Sequence, residues 1–162
     1  MKILIISLPR TGSTSLMEKL SLDYKLSTVF EPWNGGGRQN YKSEDDNLVL
    51  KTIIFDRDIE FYVELTKEFD KIILLSRRDL DACSESYAYL IHHKGDEFNS
   101  RQQYEWKPTP NLDEKKEEMY FWNGVLIELG KRLEIPITYY EDIYDLNSYE
   151  KLRKEIKVDK LI

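Results

Sequence analysis

The sequence predicts an α/β protein: a three-layer α/β/α arrangement around a mainly parallel central sheet. Two observations carry this expectation. Short aliphatic runs alternate along the chain with stretches of helical character, and right-handed crossovers turn that pattern into a parallel sheet. The first run, Ile3 to Ser7, is apolar almost throughout, as suits a central strand covered on both faces.

Taken in order, that first strand stops at a Pro- and Gly-containing turn. Ser13 or Thr14 then caps a helix carrying Leu16, Met17 and Leu20 on one side. Thr28-Val29-Phe30 reads as a second strand ending at Glu31-Pro32. Asn34 to Asn47, with three consecutive glycines, reads as a mobile loop. Leu48 to Ile54 is a third strand, residues 57–69 a connecting helix, and Lys71 to Ser76 a fourth strand. Asp79 caps a helix running to about His93, and residues 94–112, with Gly95, Pro108 and Pro110, form a long loop. Residues 113–133 begin acidic and end on Lys131 and Arg132, which complements a helix dipole. Ile135 to Tyr140 is the last strand and 148–157 a final short helix. No repeat or linker divides the chain, so 1–162 is read as a single domain.

Composition narrows the function classes. Hydrophobic residues make up 41% and charged residues 33%, which is globular rather than disordered. A net charge of −6 argues against a surface that grips nucleic acid, although it permits a local basic pocket. Cys83 is the only cysteine, which excludes an intrachain disulfide and a cysteine-based zinc site. His92 and His93 are the only histidines, and Glu44-Asp45-Asp46 and Glu117-Glu118 read as solvated charges, so no metal is expected. The run Ile3 to Ile6 is too short for a membrane span or a signal-peptide core. The expected location is cytoplasmic.

The segment Ser7-Leu8-Pro9-Arg10-Thr11-Gly12-Ser13-Thr14-Ser15 concentrates the chemistry. A strand that stops at a small-residue turn and opens a helix presents unpaired N–H groups and the positive end of the helix dipole to an anion. Gly12 permits close backbone approach, the hydroxyls of Ser13, Thr14 and Ser15 add donors, and Arg10 adds a fixed charge. The segment lacks the Gly-Lys-Ser/Thr of a Walker A loop and any nucleophilic Cys, so by itself it is a generic phosphate site or an ordinary turn. A second basic signature, Ser76-Arg77-Arg78-Asp79, follows the fourth strand. One of its arginines, with a serine about two helical turns further along at Ser84 or Ser86, can grasp one phosphate from two sides, or Arg77 and Arg78 are surface charges and the serines a polar helix face.

With these motifs in hand, Pro-Arg-Thr-Gly-Ser-Thr-Ser resembles the 5′-phosphosulfate loop of the sulfotransferases that use 3′-phosphoadenosine 5′-phosphosulfate (PAPS). Arg78-Asp79 with Ser86 resembles that family's 3′-phosphate motif, and the Arg77-Arg78-Asp79 triplet its bacterial carbohydrate and glycolipid branch. Phe30-Glu31-Pro32 and Tyr140-Glu141-Asp142-Ile143 are weaker echoes in the same order. Arg10 stands where a loop lysine is usual, and no Gly-rich C-terminal loop is evident.

The resemblance implies a P-loop-like sulfotransferase fold, PAPS as donor, 3′-phosphoadenosine 5′-phosphate (PAP) as product and a small-molecule acceptor. It implies donor binding by Arg10, Thr11, Gly12, Ser13, Thr14, Ser15, Arg78 and Ser86, and catalysis by Glu31 as base with Arg10. A nucleotide-binding module or a kinase-like P-loop protein without sulfuryl transfer is the alternative. Lys51, inside an apolar strand, marks either an active-site cation or an edge strand. Trp33, Tyr87 and Tyr89 line an acceptor pocket or belong to the core. Cys83 reads as a small buried hydrophobe, and His92 and His93 as helix-end cations.

Overall fold

The computed structural model describes residues 1–33, 41–55, 57–92 and 111–144. The strands are β1 (Lys2–Ser7), β2 (Ser27–Phe30), β3 (Leu48–Ile53), β4 (Lys71–Ser76) and β5 (Ile137–Tyr139). The helices are α1 (Ser13–Tyr24), α2 (Ile59–Thr66), α3 (Leu80–His92), α4 (Leu112–Leu133) and the short α5 (Tyr140–Ile143). All strand pairs are parallel, in the order β2-β3-β1-β4-β5.

Alternation along the strands divides the core into two layers. Ile3 and Ile5 of β1, Val49 of β3, and Ile73 and Leu75 of β4 pack with Leu16, Met17 and Leu20 of α1. Leu4, Ile6, Leu48, Leu50 and Leu74 face the other way, onto Tyr62 and Leu65 of α2, Cys83 of α3 and Met119, Leu126 and Leu129 of α4. This is the three-layer α/β/α architecture expected from the sequence. Gly130 lets the chain turn closely back from α4 into β5, because a Cβ there would lie 2.9 Å from the Ile135 carbonyl oxygen. Among the described residues no helix is long and apolar enough to cross a membrane.

Several local expectations need correction. Gly12, not Ser13 or Thr14, is the N-cap of α1; its φ of 73° lets the chain turn straight from the loop into the helix, and Ser13 is already helical. The strand expected over 135–140 is shorter, because Tyr140 to Ile143 wind into α5. Of the segment read as a mobile loop, residues 41–47 are tied down. Tyr41 stacks on Phe69 with ring centroids 5.8 Å apart and donates to Glu68 at 2.6 Å. The Asn47 carbonyl accepts from Ser27 N–H at 3.0 Å. Asp79 does cap α3, accepting from Ala82 N–H at 2.9 Å. The remainder of that loop, His93, nearly all of the 94–112 segment and the 148–157 helix lie outside the described residues.

Candidate functional site

The C-terminal ends of β1, β2, β3 and β4 meet at the turn from β1 into α1, and this turn is held at almost every residue. Leu8 N–H donates to Leu75 at 3.2 Å, Thr11 Oγ1 to the Leu8 carbonyl at 2.8 Å, and Cys83 Sγ to the Pro9 carbonyl at 3.0 Å. Arg10 Nε donates to Ser86 Oγ at 2.8 Å, and Tyr144 Oη to the Gly12 carbonyl at 2.6 Å. The loop is therefore preorganised, with the first N–H groups of α1 at its centre, as an anion site requires. Thr11 and Ser13 are buried, Thr14 is half-buried, and Arg10 and Ser15 are exposed. Arg10 adopts φ 61°, a left-handed conformation that costs a non-glycine residue about 1–3 kcal/mol and clusters at functional sites.

Beside the loop stands a buried ion pair. Lys51 Nζ, on β3, meets Glu31 Oε1 at the end of β2, donates to Thr14 Oγ1 at 3.3 Å, and lies 4.3 Å from the Phe30 ring centre. Glu31, also left-handed at φ 41°, is anchored by its N–H to the Lys51 carbonyl at 2.8 Å. The edge-strand alternative for Lys51 is overturned, because β3 lies between β2 and β1. Glu31 and Lys51, named separately from the sequence, are thus brought together with the loop at Thr14.

The second basic motif is arranged otherwise. Arg78 and Ser86 do not meet. Ser86 holds Arg10, while the Arg78 guanidinium makes two 2.6 Å bonds to the two carboxylate oxygens of Asp142 and lies 4.6 Å from the Tyr139 ring centre. That hydrogen-bonded pair holds the Asp142 carboxyl below its ordinary range and lifts Arg78. Burial pushes the Glu141 carboxyl up, but the N–H groups of Arg78 and Asp79, with Arg77 nearby, win and hold it low. The sequence marked Arg77 only as part of the basic signature, with no binding role of its own. Its guanidinium lies 5.0 Å from the Tyr140 ring centre, and Tyr140 pairs with Tyr144 at 4.3 Å.

On the α3–α4 side, Pro9, Phe55, Tyr87, Glu118, Met119 and Trp122 line a cleft of about 230 Å³. Tyr87 was expected in such a pocket; Phe55 and Trp122 were missed, because lone aromatics carry no spacing signal. Glu118, read as a solvated charge, faces this cleft and accepts from Lys115 at 2.8 Å. Trp33 instead packs against Phe61, centroids 5.0 Å apart, partly buried against the core, and Tyr89 is half-buried on α3 outside the cleft lining. Burial pushes the Cys83 thiol up to about 11, in keeping with a structural residue.

No protein-family model matches the chain, and no curated protein matches it. Among solved structures the chain is similar to the crystal structure of the YorR protein from Bacillus subtilis in complex with phosphorylated GDP. The identity is 12%, the match covers 99% of this chain and 96% of that one, and the TM-score is 0.52. At that identity the likeness bears on fold alone, and it agrees with the three-layer α/β/α architecture.

Proposed function

We propose that the chain binds a phosphorylated nucleotide at the β1–α1 loop and is a sulfotransferase that moves the sulfuryl group of PAPS to a hydroxyl or amine of a small acceptor. The observation that carries this reading is the Thr14–Lys51–Glu31 constellation. It sets a buried cation and a carboxylate beside an anion loop that has no Walker lysine.

The chemistry follows from these positions. The acceptor oxygen or nitrogen attacks sulfur in line, while the bond from sulfur to the bridging oxygen of the 5′-phosphate breaks and PAP leaves. Arg10, Thr11 and the Gly12–Ser15 backbone hold the 5′-phosphate and the charge that grows on the departing oxygen. Lys51 steadies sulfuryl oxygens, and Glu31 takes the acceptor proton. The second phosphate is received at the β4–α3 turn. The aromatic cleft beside Pro9 receives the acceptor.

The structural likeness to YorR, crystallised with phosphorylated GDP, favours one second reading: a nucleotide-binding or kinase-like protein without sulfuryl transfer. Donor discrimination tests the two. Supplied with PAPS or ATP and a mixed pool of small hydroxyl and amine acceptors, the protein is expected to form PAP and no ADP. ADP formation without PAP would overturn the sulfotransferase reading and support the second.

A further inference from the structure

Among the described residues, two buried side-chain polar atoms have no hydrogen-bond partner: Ser7 Oγ and Arg77 Nε. Buried donors are almost always satisfied, so two orphans near one site call for a ligand. They share one edge of the fold. Ser7 ends β1 opposite Leu75 of β4, and Arg77 follows directly after β4. Strand alternation puts Ser7 on the face of Ile3 and Ile5, and Arg77 on the face of Ile73 and Leu75, which is the α1 face in both cases. The ring stack confirms the placement: Arg77 lies against Tyr140, Tyr140 against Tyr144, and Tyr144 donates to Gly12 of the loop.

Arg78, by contrast, has both terminal nitrogens engaged by Asp142. Arg77 Nε forms an ion pair with Glu141 Oε1 at 3.8 Å, too long for a hydrogen bond, and the Glu141 oxygens accept instead from the N–H groups of Arg78 and Asp79. We propose that Arg77, with Ser7, grips a phosphate group of the bound nucleotide, and that Arg77 rather than Arg78 is the phosphate-binding arginine of the β4–α3 turn. The forked guanidinium suits phosphate oxygens, and the Ser7 hydroxyl completes the donor set.

This inference rests on the reading that the loop binds a phosphorylated nucleotide, and calorimetric titration separates the two. PAP, AMP and adenosine 3′-phosphate are titrated into the wild type and into Arg77→Ala, Arg77→Lys, Arg78→Ala and Ser7→Ala. Arg77→Ala is expected to weaken PAP by roughly ten-fold or more, the size of a lost charge-assisted bond, and Arg78→Ala by less than about three-fold. Loss shared with adenosine 3′-phosphate alone assigns the ribose phosphate, and loss shared with AMP alone assigns the 5′-phosphate; each supports the site.

Ser7→Ala removes an unsatisfied hydroxyl, so it is expected to leave Tm unchanged or raised while PAP weakens. With Arg77→Lys, it carries the test should Arg77→Ala not fold. Arg77 and Ser7 variants that bind PAP like the wild type, or a loss in Arg78→Ala that matches Arg77→Ala, would overturn the assignment while leaving nucleotide binding intact. A wild type that binds none of the three nucleotides would overturn both.

Discussion

Arg10 donates through Nε to Ser86 Oγ at 2.8 Å, tying the tip of the β1–α1 loop to the middle of α3. The two sequence motifs are therefore one piece of structure, although the pairing differs from the Arg78–Ser86 grasp that the family resemblance implied. Arg10→Ala is expected to weaken PAP by roughly ten-fold or more and Ser86→Ala by about three-fold, because the second removes only the brace. In a double-mutant cycle by calorimetry the losses should be less than additive. Full additivity would show that the contact does not position Arg10.

The Glu31–Lys51 pair separates stability from catalysis. Side-chain exposures of 13% and 6% make it a buried ion pair, and removing one partner strands the other. Lys51→Ala is expected to cost about 3–5 kcal/mol in urea unfolding. Glu31→Gln keeps the shape and a hydrogen-bond acceptor, and should fold while losing about 10²–10⁴-fold in transfer rate. Full transfer activity in Glu31→Gln would remove it as the base.

Cys83 is expected to be chemically silent. Its thiol is buried, donates to the Pro9 carbonyl at 3.0 Å, and is pushed up to about 11 by burial. Native protein at neutral pH should react with iodoacetamide far more slowly than protein in denaturant. Equal rates would place the thiol in the open.

Acid should loosen the β5–α5 corner first. The Asp142 and Glu141 carboxyls sit lower in the folded protein than in the unfolded chain, so their stabilisation is present above the unfolded carboxylate range. It is lost as pH falls through the lowered folded values. Asp142→Asn should flatten the fall of Tm between neutral and acid pH, and should leave neutral Tm little changed because both partners are about half exposed. An unchanged acid slope would contradict the paired geometry.

Much of this molecule was legible in its residues. The apolar runs at Ile3–Ser7 and Lys71–Ser76 announced buried parallel strands, and Gly12 with its neighbouring small residues announced a strand-to-helix turn. Glu31 and Lys51 were each named, but only the sheet register, which sets Phe30 beside Lys51, shows that they form a pair. The partner of Arg78 was not legible. Asp142 lies sixty-four residues away, and the choice between adjacent arginines depends on which face of the strand end each one takes. The cleft was half legible for a similar reason: Phe55, Tyr87 and Trp122 come from three separate segments that only packing brings together.

In the proposed function the loop and the β4–α3 turn form one clamp for a nucleotide carrying two separate phosphates. Calorimetric titration of the wild type with PAP, AMP and ATP tests it most directly. PAP is expected to bind roughly ten-fold or more tightly than AMP, a gap of at least about 1.4 kcal/mol, with ATP weaker than PAP. Equal affinity for PAP and AMP, or a preference for ATP, would contradict it.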